Sequence, residues 1–169
     1  MNHQQTLEKK VNLDKLTNTY NREYFDNNIE NILFNNSSNH LETAIVIFDI
    51  DYFKKVNDTF GHDVGDEVLK DFVNIIKSNS RFSEDILIRW GGEEFLMILS
   101  VKDKNTILNI LKKYKEAVSN NDFHLVGKVT CSIGASVHTN SLKIENTIKQ
   151  ADIALYEAKN SGRNKVVLI

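Results

Sequence analysis

The sequence contains no proline and a single cysteine, Cys131. One thiol excludes an intramolecular disulfide, a zinc–cysteine cluster and a CxxC redox pair. Such usage points to a reducing compartment. No apolar run approaches the ~20 residues a membrane-spanning helix needs. Residues 1–15 lack the apolar stretch of a secretory signal. The expectation is a cytoplasmic protein, or the cytoplasmic domain of a larger one, with no membrane contact by this chain. Charge of one sign is also scarce. Twenty-one Lys and Arg stand against 23 Asp and Glu, a net charge of −2. That balance offers no general field for nucleic acid, which is not an expected partner. What remains is ordinary globular usage, with 41% hydrophobic and 26% charged residues in 169. These proportions suit one folded domain rather than a disordered chain.

Periodicity divides the chain. Leu13, Leu16 and Tyr20, then Phe25, Ile29, Ile32 and Leu33, recur at helical spacing. The polar stretch 35–39 breaks that pattern, so residues 1–40 read as an N-terminal helical arm and 41–169 as the main domain. Residues 44–50 (AIVIFDI) form a β-branched strand, and Val64 to Ile76 mark a helix. Two short strands, 86–90 and 95–99, flank Gly91-Gly92, a hairpin signal because glycine accepts the positive φ of a primed turn. Helices around Ile107–Val118 and Ile144–Leu155, a strand within 128–138 and a last strand at 166–169 complete the series. This alternation predicts an α/β (α+β) domain with a mixed, mainly antiparallel five-stranded sheet covered by helices on both faces. The ferredoxin-like, split-βαβ order fits better than a doubly wound sheet.

Two acidic clusters occupy corresponding places. Asp49 and Asp51 end the first strand, and Glu93 and Glu94 follow Gly91-Gly92 in the hairpin. Acids at strand ends are common singly. Together, on neighbouring strands, they repel one another and call for a cation, and hard oxygen ligands suit Mg²⁺ with substrate phosphates. The two glycines remove side chains where backbone can approach a ligand. After Asp51, Tyr52-Phe53-Lys54 begins a short helix whose free N–H groups suit phosphate oxygens, with Lys54 as a neutralising charge. Asn57 and Asp66 are candidate base readers, because guanine presents adjacent N–H donors that a carboxylate accepts. His62 lies in the loop between them. Lys159 and Arg163 flank a helix end.

In order, five blocks resemble the GGDEF family of diguanylate cyclases: DKLTNTYNREYF (14–25), FDIDYFKKVN (48–57), FGHDVGD (60–66), RWGGEEF (89–95) and ADIALYEAKNSGRN (151–164). The similarity spans residues 13–169. It implies a nucleotidyl-cyclase palm fold in the main domain and condensation of two GTP to cyclic di-GMP and two pyrophosphates across a homodimer. It implies Mg²⁺, replaceable by Mn²⁺, two per active site, held by Asp49, the Ile50 carbonyl and Glu93. Glu93 or Glu94 would help activate the attacking 3′-OH. Asn57 and Asp66 would read guanine, with His62 shaping that pocket. Tyr52 and Phe53 would offer N–H groups, Gly91 and Gly92 the open turn, and Lys54, Lys159 and Arg163 positive charge to the triphosphate. A sensory or receiver module outside this chain is a further implied partner.

Three departures stand out. Asn18-Thr19 replaces the family's usual Gly-Leu, and Trp90 replaces the commoner Tyr or Phe. In the inhibitory Arg-x-x-Asp product site, Asp85 fits but Phe82 stands at the Arg position, with Arg81 one residue away. Product inhibition through that site is therefore expected to be weak or absent. The alternatives are a catalytically silent module that binds GTP or cyclic di-GMP, and a cyclase of relaxed base choice. Retention of both turn glutamates argues against the first, and Asp66 against the second.

Overall fold

The computed structural model describes residues 12–81 and 85–169. Residues 1–11 of the expected arm, and Phe82, lie outside the described residues. The elements are α1 (Arg22–Ser38), β1 (Glu42–Ile50), α2 (Phe53–Phe60), α3 (His62–Asn79), β2 (Asp85–Gly91), β3 (Glu94–Val101), α4 (Ile107–Asn120), β4 (Asp122–Phe123), β5 (Gly127–Lys128), β6 (Cys131–Val137), α5 (Ile144–Asn160) and β7 (Val166–Leu168). One 3₁₀ turn, Lys104–Thr106, leads into α4. Among the described residues, no helix is long and apolar enough to cross a membrane.

Five strands form one sheet in the order β2-β3-β1-β6-β7, antiparallel except for the β6–β7 pair. Strand β1 lies at the centre, buried on both faces, which explains its unbroken apolar run. Its side chains alternate between two cores. Ala44, Val46, Phe48 and Ile50 face α2, α3 and α4, whose Val56, Phe72 and Leu111 share that core. Ile45 and Ile47 face the other side, with Phe25 and Ile29 of α1 and Leu155 of α5. Helices therefore cover both faces, as expected.

Helix α5 lies directly on β6. A Cβ on Gly134 would stand 2.1 Å from the Leu155 nitrogen and 2.4 Å from the Ala151 carbonyl oxygen, so only glycine permits this approach.

The helical expectation fails at Leu13–Tyr20. The Asp14 carboxylate accepts from the Thr17 N–H at 2.9 Å and its hydroxyl at 2.7 Å. This local turn competes with helix formation, and Asn18 takes φ +57°. The apolar spacing there serves a bridge from Leu13 to Tyr20, and Tyr20 pairs in turn with Ile88. The short β4–β5 hairpin carries no periodic signal and was not expected.

Candidate active site

The ends of β1 and β3 meet the hairpin at one edge of the sheet. Asp49 pairs directly with Glu94 in the register, so their side chains share a face. Helix α5 covers that face. Gly92 and Glu93 form the two-residue turn between β2 and β3. Gly92 has φ +48° while Glu93 keeps a negative φ, the sign pattern of a type II′ turn. A Cβ on Gly91 would meet nothing within 4 Å, so nothing inside the fold calls for glycine at that position.

Asp49 is 3% exposed. Its Oδ2 accepts from Lys159 Nζ at 2.8 Å. Burial pushes the Asp49 carboxyl above its usual range. Lys159 works against that shift, and repulsion from Glu93 and Asp51 adds to it. Burial likewise raises Glu94, with Asp49, Asp152 and Glu93 reinforcing and Lys159 opposing. Burial raises Asp152 as well. Lys159 thus opposes, at both Asp49 and Glu94, the repulsion from the acids around them.

Asp51, which shares the first acidic cluster in sequence, has a different fate. It accepts from the Thr130 and Ser132 hydroxyls at 2.7 and 2.6 Å and from the Asn164 N–H at 3.0 Å. It ties the end of β1 to β6 and to the loop after α5. That loop runs through Gly162, Arg163 and Asn164, all at positive φ. The Arg163 guanidinium lies over the Tyr52 ring, 4.7 Å from its centroid.

Tyr52 itself takes φ +55° and opens α2 without a side-chain cap. Among the described residues, the first-turn N–H groups of that helix therefore receive no side-chain cap from Tyr52, and such groups suit an anion. Lys54 pairs with Asp58 at 2.9 Å, but both side chains are largely exposed, at 89% and 64%. Such a surface pair is easily exchanged for a phosphate.

Asn57 Oδ1 is buried without a hydrogen-bond partner among the described residues. Such orphans are uncommon and mark a place where a ligand donor fits. A Cβ on Gly65 would lie 1.8 Å from that oxygen, so the glycine opens the contact between α2 and α3. Asp66 follows on α3, partly exposed, and His62 is exposed at the start of the same helix. Of the candidates, Asp49, Glu93, Glu94 and Lys159 come together, Arg163 and Tyr52 sit beside each other, and Asn57 and Asp66 flank Gly65.

Three participants escaped sequence reasoning. Asp152 is seven residues before Lys159, two helical turns, and that spacing could have placed both on one face. Arg89 donates to Asp14 and to the Gly92 carbonyl. The Asp51 latch has no local signal, because its partners lie far along the chain.

The donor set suits a hard divalent cation. Carboxylate and carbonyl oxygens are on offer, and surplus negative charge is balanced by a single Lys. Among the described residues no three acidic, His or Cys side chains converge to cage an ion.

A mixed sheet whose central strand delivers buried acid to a glycine turn beside an uncapped helix defines a nucleotidyl-cyclase type of palm domain. The chain belongs to the GGDEF family: the family model for "Diguanylate cyclase, GGDEF domain" matches residues 11–165. It is 44% identical over 161 residues to the probable diguanylate cyclase DgcT of Escherichia coli, covering 92% of this chain and 35% of that protein. It is 38% identical over 160 residues to the response regulator PleD of Caulobacter vibrioides, covering 91% and 35%. The chain thus spans about a third of the length of these relatives. The crystal structure of the coiled coil and GGDEF domain of DgcB from Caulobacter crescentus, in complex with c-di-GMP, superposes with a TM-score of 0.90 at 26% identity, covering 99% and 90%. Diguanylate cyclase SiaD from Pseudomonas aeruginosa, solved with its activator SiaC, gives 0.85 at 31% identity, covering 98% and 65%.

Proposed function

We propose that this chain is an active diguanylate cyclase domain, joining two GTP into cyclic di-GMP with release of two pyrophosphates. The observation that carries the reading is the pairing of buried Asp49 with Glu94, with Glu93 in the glycine turn beside them and Lys159 on Asp49. A silent relative has no need to keep mutually repelling glutamates beside a buried aspartate.

Asp49, the Ile50 carbonyl and Glu93 would hold Mg²⁺, or Mn²⁺ in its place, two ions per site. When bound, the metal lowers the pKa of a coordinated hydroxyl and offsets phosphate charge. The protein's own groups do the rest. Asn57 accepts from guanine at its orphaned oxygen, and Asp66 accepts the paired N–H donors, with His62 at the rim. The N–H groups of Tyr52 and Phe53 and the charges of Lys54, Lys159 and Arg163 bind the triphosphate. They stabilise the negative charge that grows on the leaving pyrophosphate. The open backbone at Gly91 and Gly92 leaves room for the nucleotide. Glu93 or Glu94 accepts the proton of the 3′-OH as its oxygen bonds to the α-phosphorus of the second GTP. Each chain supplies one such site, so two must face each other in a homodimer. A regulatory module elsewhere in a longer protein would bring them together.

A chromatographic product assay with GTP and Mg²⁺ at high protein concentration tests the reading. Cyclic di-GMP from the wild type and none from Glu93→Ala is the expected result. GTP bound but unconverted, even after dimerisation is forced by a fused coiled coil, would favour a silent binding module.

A further inference from the structure

The Asp49–Lys159 pair is lopsided. The Asp49 side chain is 5% exposed and that of Lys159 is 32% exposed. A buried carboxylate without compensation is costly. Here the compensation comes from a flexible side chain with a route to solvent. Arg163, in the loop just after α5, is engaged with the Tyr52 ring instead. Lys159 thus acts on both Asp49 and Glu94.

We propose that Lys159 is a place-holder for the divalent cation: in the nucleotide-free protein its ammonium occupies the Asp49 carboxylate and keeps the cation out until a triphosphate draws it away. The proposal rests on the reading of this site as a metal–nucleotide centre. The ammonium 2.8 Å from Oδ2 takes part of the carboxylate's acceptor capacity and its charge repels a divalent ion at the remaining sites, so ammonium and metal compete for Asp49. A triphosphate offers Lys159 a more highly charged and less buried partner. Its departure exposes Asp49 at the moment a metal–nucleotide complex arrives. Metal and nucleotide are then taken up as a unit, and the empty site does not collect free ions.

Nucleotide-free protein titrated with Mn²⁺, with the free ion followed by electron paramagnetic resonance, provides the test. The wild type is expected to bind Mn²⁺ weakly. Lys159→Gln is expected to bind on the order of tenfold more tightly, a usual size for coupling between competing ligands. Asp49→Asn should abolish that gain in the double variant. Lys159→Arg keeps a cation on Asp49 and should remain as weak as the wild type, which provides a folded control. Equal affinity in wild type and Lys159→Gln, or a gain that survives Asp49→Asn, would overturn the proposal. Repeating the wild-type titration with a non-hydrolysable GTP analogue, read as the excess over the same analogue without protein, tests the underlying reading separately. No gain in Mn²⁺ binding there would remove the metal–nucleotide assignment and the place-holder with it.

Discussion

Arg89 donates from Nη1 to both carboxylate oxygens of Asp14, each at 3.2 Å, and from Nε and Nη2 to the Gly92 carbonyl at 3.2 and 3.0 Å. One guanidinium therefore joins the N-terminal segment to the hairpin turn that carries Glu93. Next to it, Trp90 meets Arg22 of α1 at 4.1 Å and Phe25 edge-on at 5.2 Å. The turn is thus held from the segment that precedes β1. Lysine cannot reproduce the fork. Arg89→Lys is expected to lower turnover by roughly 10–100-fold through a displaced glutamate, while the affinity for a GTP analogue stays near wild type. Unchanged turnover would show that the turn holds its shape without the clamp.

The same contact has a pH signature. Burial alone would raise the Asp14 carboxyl, but hydrogen bonds from Thr17 and the Arg89 charge outweigh it and hold it below its ordinary value. A lowered folded pKa adds stability above the unfolded value of about 3.9 and loses it as pH falls through the folded value. Asp14→Asn should cost about 1 kcal/mol at neutral pH. The difference in melting temperature should be constant between about pH 7 and pH 5 and shrink below about pH 4. A difference that grows on acidification would contradict this account.

The five-stranded sheet and the acid-bearing ends of β1 and β3 were legible because each rests on local pattern: a β-branched run, a Gly-Gly turn, helical spacing. The turn at Asp14 was misread because Leu13, Leu16 and Tyr20 keep helical spacing while a carboxylate captures the backbone. Asp49 and Asp51 look alike in sequence, and only the register separates them. Asp49 faces Glu94 and Lys159, whereas Asp51 is used up by Thr130, Ser132 and Asn164. That distinction depends on pairing with a strand some eighty residues away, which no local window contains.

Gly65 provides a steric test of the base pocket. An added methyl would stand 1.8 Å from Asn57 Oδ1 and 3.4 Å from the Phe53 ring. Gly65→Ala should push the amide out of place and weaken GTP binding by on the order of tenfold, about 1.4 kcal/mol. Helix α3 itself should not suffer, since alanine is the better helix former. Calorimetric titration with a GTP analogue, beside a thermal melt, separates the two effects. Normal binding would mean that Asn57 does not read the base.

By its distance from the Gly-Gly turn Asp85 resembles the Asp of the family's product site, yet its carboxylate is enclosed. Arg81 Nη2 bonds it at 2.6 Å, the Tyr114 hydroxyl at 2.5 Å, and its side chain is 0% exposed. Arg81 also reaches the Ser100 carbonyl at 2.9 Å. The group is occupied in joining β2, β3 and α4. Asp85→Ala should therefore destabilise the fold by about 3–5 kcal/mol, because it strips a buried pair of one partner. It should leave cyclic di-GMP affinity unaltered among molecules that stay folded. Tight product binding by the wild type, lost in a folded Asp85→Asn variant, would restore the inhibitory role.

On the proposed reading the reaction joins two nucleotides, while the described residues offer one set of proposed base readers, Asn57 and Asp66, and one glycine turn. On that reading the 3′-OH held by one chain must reach the α-phosphate held by another. Turnover should then follow the concentration of paired chains rather than total protein. Below the dimer dissociation constant, specific activity should rise in proportion to concentration, and above it should level off. Fusing a parallel coiled coil ahead of residue 12 should remove the dependence by raising the effective concentration into the mM range. GTP-analogue binding per chain should be the same in both regimes, since each pocket is complete for one nucleotide. Initial rates across a dilution series, set against sedimentation velocity on the same samples, check all three points. Specific activity that stays flat through the monomer–dimer transition would place both nucleotides on one chain and rule out a shared site.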